Sequence, residues 1–111
     1  EETTSYEKEI WGAAAGSNGS VILVGFTLGN WSVTDLRMLR KDYLIIKLNA
    51  EGQKLWNLQG NLDGDSWFQA VATGEDNSTV MGGVFVDQFF VMKLDDEGNT
   101  LWNWTVRPHH L

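Results

Sequence analysis

With 111 residues, 42% of them hydrophobic and 21% charged, the chain can build one compact domain or two small repeats, but not two independent cores. A net charge of -7 leaves it short of the clustered Lys and Arg that phosphate backbones and anionic lipids require, so neither nucleic acid nor a membrane surface is an expected partner. The lack of cysteine excludes disulfides, thiolate metal sites and cysteine nucleophiles together.

In chain order, a polar segment comes first, residues 1–9. The chain opens on Glu1 rather than Met and is read as a processed or excised segment, a reading with room for a lost N-terminal export signal. The segment suits a strand added to a neighbouring copy, as in donor-strand complementation, with Glu1, Tyr6 and Ile10 as contact residues. A strand of small residues follows over 10–15, then a Gly/Asn turn and a strand over 21–26. An insertion over 30–41 mixes apolar and basic residues in an acidic chain. It is either a lengthened hairpin or a docking element whose Arg37, Arg40 and Lys41 meet the acidic surface of the next copy.

An apolar strand over 43–48, a turn ending at Gly52 and a strand carrying Trp56 close this first unit, which spans residues 6–60. The second unit, 61–107, repeats the order: strands over 68–72, 80–86 and 89–94, a turn ending at Gly98, and a strand carrying Trp102. Residues 108–111 are a tail.

The duplication is read directly. Lys47-Leu48, Glu51-Gly52 and Leu55-Trp56-Asn57 recur without gaps as Lys93-Leu94, Glu97-Gly98 and Leu101-Trp102-Asn103. The earlier halves, Ala14 to Gly25 and Ala72 to Gly83, match at an offset of about 58 residues instead of about 46, which places the extra residues in the insertion. The runs Val21-Ile22-Leu23-Val24 and Phe89-Phe90-Val91-Met92 do not alternate. Strands read that way when both faces are covered. The fold class is therefore all-β: two tandem four-stranded antiparallel blade-like sheets, a partial propeller or a sandwich-like stack.

The glycine-bounded Val21-Ile22-Leu23-Val24-Gly25 strand, followed by Asp42-Tyr43-Leu44-Ile45-Ile46-Lys47-Leu48 and Glu51-Gly52-Gln53-Lys54-Leu55-Trp56, resembles the repeats of secreted β-propeller proteins, above all bacterial surface-type propeller repeats. The resemblance covers nearly the whole chain and implies a fold, not an activity. Closed propellers have at least about four blades, and two are found in these residues. Either the chain is a fragment of a longer propeller, or other copies of it complete the core.

Four triplets, at Asn18, Asn30, Asn77 and Asn103, fit the N-glycosylation acceptor pattern where chance predicts roughly one, so N-linked glycans and an extracellular or cell-surface setting are expected. Trp56 and Trp102 hold one repeat position, and repeated position implies repeated packing, so both are assigned to the core; Trp31 and Trp104 lie inside the acceptor triplets and are candidates for exposure. Asp63-Gly64-Asp65-Ser66 and Asp95-Asp96-Glu97-Gly98-Asn99 lack the spacing of an EF-hand loop, and the second reads first as a hairpin turn. His109 and His110 have no orienting partner in the sequence, and no nucleophile, phosphate-loop or zinc motif occurs. No catalytic residue, metal or cofactor is assigned. The expected function is a non-enzymatic extracellular glycoprotein subunit that self-assembles into a fibre, surface coat or ring; the alternative is an adhesin or lectin-like module.

Overall fold

A computed structural model describes residues 5–30, 39–60 and 64–107. The described chain is all-β: eight antiparallel strands in two four-stranded sheets, with no helix among these residues. The first sheet contains β1 (Ser5–Ala15), β2 (Val21–Asn30), β3 (Leu39–Leu48) and β4 (Lys54–Gln59). The second contains β5 (Ser66–Thr73), β6 (Thr79–Phe85), β7 (Gln88–Leu94) and β8 (Thr100–Val106). Both are simple meanders, in the order β1-β2-β3-β4 and β5-β6-β7-β8.

Local chemistry accounts for the hairpins. The β1–β2, β3–β4, β5–β6 and β7–β8 connections share one hydrogen-bond pattern, seen where Gly52 N–H donates to Asn49 C=O at 2.9 Å and Asn49 N–H to Gln53 C=O at 2.8 Å. The pattern needs a left-handed residue at its fourth position, supplied by Gly19, Gly52 and Gly98, and by Asn77 at φ 62°. Asn49 and Asp95 brace their turns: each side-chain oxygen Oδ1 accepts the N–H groups two and four residues ahead.

Each sheet also carries a bulge on its first strand, between Ile10 and Gly12 in β1 and between Phe68 and Ala70 in β5. Opposite each stands a glycine. A β-carbon on Gly25 would fall 1.8 Å from the Glu9 carbonyl oxygen, and one on Gly83 1.9 Å from that of Trp67. Only glycine permits that approach.

The sheets stack face on face, with β5 packed across β1, β2 and β3. Ile22, Val24 and Ile45 of the first sheet meet Phe68, Met81, Phe90, Met92 and Leu94 of the second in one buried cluster, flanked by Tyr43, Trp56, Leu58, Val71 and Phe85. Phe68 and Phe90 are stacked with centroids 5.5 Å apart, and the Tyr43 ring lies 5.0 Å from Phe68. Burial there raises the pKa of the Tyr43 hydroxyl above its ordinary value. Each large side chain so buried contributes roughly 1.5–3 kcal/mol, enough for this one layer to hold the two sheets together.

The predicted strands all occur, and several run longer. Residues 5–9 extend β1 and pair with β2 of their own sheet, from Ser5 opposite Gly29 onward. The expected insertion is partly strand: Asn30 lies opposite Leu39, and Arg40 and Lys41 lie on β3. Glu1, expected in the donor strand, Arg37, expected in docking, Trp31 and both histidines lie outside the described residues, as do the tail 108–111 and the side chain of Tyr6.

Candidate functional site

Strand register makes the two sheets superimposable residue by residue. Val21 pairs with Leu48 as Thr79 pairs with Leu94, and Lys47 with Trp56 as Lys93 with Trp102. The face of the first sheet that packs inward carries Ile22, Val24, Tyr43, Ile45, Lys47, Trp56 and Leu58. Its counterpart on the second sheet carries Val80, Gly82, Phe89, Val91, Lys93, Trp102 and Trp104, and that face points away from the first sheet. The converse holds too. Phe68, Met81, Phe90 and Met92 point inward on the second sheet, and their counterparts Ile10, Leu23, Leu44 and Ile46 lie on the outward face of the first.

Inside the chain this contact is anchored at the β7–β8 turn. Lys47 Nζ donates to the Asp96 carbonyl at 3.0 Å and to the Asp96 carboxylate, and Trp56 Nε1 donates to the same carbonyl at 3.3 Å. The Trp56 ring occupies the space beside Gly98, where a β-carbon would meet three ring atoms at 3.1–3.3 Å. Gly52 holds the same place in the first sheet, and a β-carbon there would find nothing within 4 Å.

The outward face of the second sheet carries an exposed apolar group assembled from neighbouring strands. Val80 is 37% exposed, Phe89 41%, Trp102 46% and Trp104 52%. Trp102 thus differs from the expectation that it shares the packing of Trp56. Among the described residues a second sheet lies against Trp56 and no third sheet lies against Trp102.

The other anticipated positions are spread over the molecule. Ile10 is exposed on β1. Arg40 and Lys41 make contacts within their own chain. Arg40 Nε donates to Asp42 Oδ1 at 3.0 Å, with both side chains largely buried. Lys41 Nζ stands 5.4 Å from the Phe26 centroid and 5.3 Å from that of Trp67, and its N–H donates to Asp65 Oδ1. Trp11 completes this aromatic group at the bulge, edge-on to Phe26 and Trp67.

Of the four acceptor asparagines, Asn18 is exposed in the β1–β2 turn, its Oδ1 accepting Ser20 N–H. Asn103 is exposed on β8. Asn77 is half-buried, its Oδ1 accepting both the N–H and the hydroxyl of Ser17 across the junction between the sheets. Asn30 ends β2, and its side chain lies outside the described residues. No triplet is inherited from the duplication: the repeat places Asp76 at the Asn18 position, Gly19 at that of Asn77, and Asn57-Leu58-Gln59 at that of Asn103.

Lys47 and Asp96 escaped the reading from sequence. The available signal was a lysine repeated inside two apolar strands, Lys47 and Lys93, where burial demands a partner. Among the described residues, no three or more His, Cys, Asp or Glu side chains converge into a metal site, and no helix is long and apolar enough to cross a membrane. No known family model matches the chain, and neither does any curated protein.

Proposed function

We propose that this chain is a non-enzymatic extracellular structural subunit, a two-blade repeat of β-propeller type that self-associates into a fibre, surface coat or ring and carries N-linked glycans. The observation behind this reading is the apolar face formed by Val80, Phe89, Trp102 and Trp104. Water-exposed apolar surface assembled from several strands marks an interaction site, and on a stack of repeats it marks the place of the next repeat. The glycoprotein part rests on the acceptor triplets, with Asn18 and Asn103 exposed. Sedimentation and light scattering across a concentration series, followed by electron microscopy, test the reading. Large regular assemblies are expected, and a monomer at every concentration would end it. Intact mass before and after glycosidase treatment of the native protein tests the glycans.

A carbohydrate-binding module is the second reading, favoured by one observation. Trp102 and Trp104 expose their indoles on one face of β8, two positions apart, as a platform for pyranose rings would require. Glycan-array binding by the monomer separates it from the first.

A further inference from the structure

We infer that the outward face of the second sheet in one copy docks on the outward face of the first sheet in a second copy, head to tail, repeating the contact that joins the two sheets inside each chain. The inference rests on the self-association proposed above and specifies its surfaces. The internal interface is the template. It joins one set of strand positions (Ile22, Tyr43, Ile45, Lys47, Trp56) to another (Phe68, Met81, Phe90, Met92). Each set has a counterpart on an outward face: Val80, Phe89 and Trp102, exposed, with Val91 and Lys93 half-buried, for the first; Ile10, exposed, with Leu23 and Ile46 half-buried and Leu44 buried, for the second. The counterparts keep an apolar side chain at each of these positions but the lysine, which is itself kept; at the neighbouring Val24 position the second sheet has Gly82.

The anchors are complementary as well. Among the described residues, Trp102 lies beside no glycine turn and no tryptophan lies beside the Gly52 turn. In the docked pair, Trp102 of one copy lies beside Gly52 of the next. Lys93 there reaches the carbonyl of Ala50, the residue at the Asp96 position. Because the two surfaces differ, the contact is heterologous. Repetition closes into a ring where the rotation permits and otherwise extends as a filament.

Two variants test this on the whole chain. Trp102→Asp blocks the second-sheet face and Ala13→Asp the first-sheet face. Both residues are exposed, so the fold of each variant, checked by near-ultraviolet circular dichroism, is retained. Ala13 stands where Val71 packs against the core on the second sheet. Each variant alone is expected to be monomeric under conditions in which the wild type assembles. Mixed, they are expected to form a one-to-one heterodimer that grows no further, since each supplies the face the other lacks. Assembly by both variants alone would overturn the inference while leaving self-association standing. A mixture that stays monomeric, or loss of assembly in Trp102→Asp only, would also overturn it and point to a contact between like faces. A wild type that never associates would overturn the inference and the proposed function together.

Discussion

The indole of Trp56 fills the space beside Gly98, with Cε2, Cδ2 and Cζ2 all within 3.3 Å of where a β-carbon would stand. Gly98 and Gly52 share the left-handed backbone, at φ 89° and 84°, so alanine at either meets the same backbone penalty of about 1 kcal/mol. Only at 98 must the substituent also displace a packed ring, a further cost of about 1–3 kcal/mol. Gly98→Ala is therefore expected to melt well below Gly52→Ala, by at least about 4 °C for each additional kcal/mol in a domain of this size. Thermal melts of dilute, unassembled protein measure the difference. Equal melting temperatures would show that Trp56 does not depend on the bare backbone at 98.

A second expectation concerns acid. The turns of the second sheet use aspartate where those of the first use asparagine: Asp95 for Asn49, and Asp76 for Asn18. Hydrogen bonds from Asn99 hold the Asp95 carboxyl below its ordinary pKa, and the Ser78 hydroxyl and N–H do the same for Asp76. A carboxyl with a lowered folded-state pKa stabilises the fold above its unfolded value, about 3.9, and that stabilisation is lost as pH falls through the folded value. The double variant Asp76→Asn, Asp95→Asn retains the Oδ1 acceptors but neither the titration nor the Asp95 Oδ2 that accepts from Asn99 Nδ2. Wild type should exceed it in melting temperature near neutrality, and the gap should close on acidification below about pH 4. A gap that is constant with pH would refute the assignment.

Periodicity and turn chemistry reveal much of this architecture before any coordinates. The repeated Glu51-Gly52 and Glu97-Gly98 mark the hairpins, and the continuous apolar runs mark strands, but not cover on both faces: Phe89, in one such run, is 41% exposed. Repeats report equivalence of position, however, not the presence of a neighbour. For that reason Trp102 was indistinguishable from Trp56 on paper, although one is covered and the other open. Trp11 and Trp67 show the opposite case, similar local sequence without equivalent position. Both precede small residues, yet the bulges place Trp11 level with Gln69 and Trp67 level with Glu9. The partners of Arg40 and Lys41 were hidden for a different reason: Asp42 is two residues along one strand, and Phe26 and Trp67 come from two other strands.

The buried lysine supplies the remaining expectation. The Lys47 side chain is 4% exposed, whereas that of Asp96 is 44% exposed, so the two ends of the ion pair respond differently to removal. Lys47→Met keeps the aliphatic stem in the core and removes the charge, and the freed Asp96 carboxylate is solvated where it stands. Exchanges of this kind are near neutral, within about 1 kcal/mol. Asp96→Ala leaves the ammonium buried with only the main-chain carbonyl to accept from it, a loss of about 1–3 kcal/mol. Urea unfolding should therefore rank wild type and Lys47→Met together, with Asp96→Ala below them. If Lys47→Met proves the weaker of the two variants, the lysine contributes more through its own hydrogen bonds than its desolvation costs, and Lys93 would then be expected to add affinity wherever it finds an equivalent carbonyl.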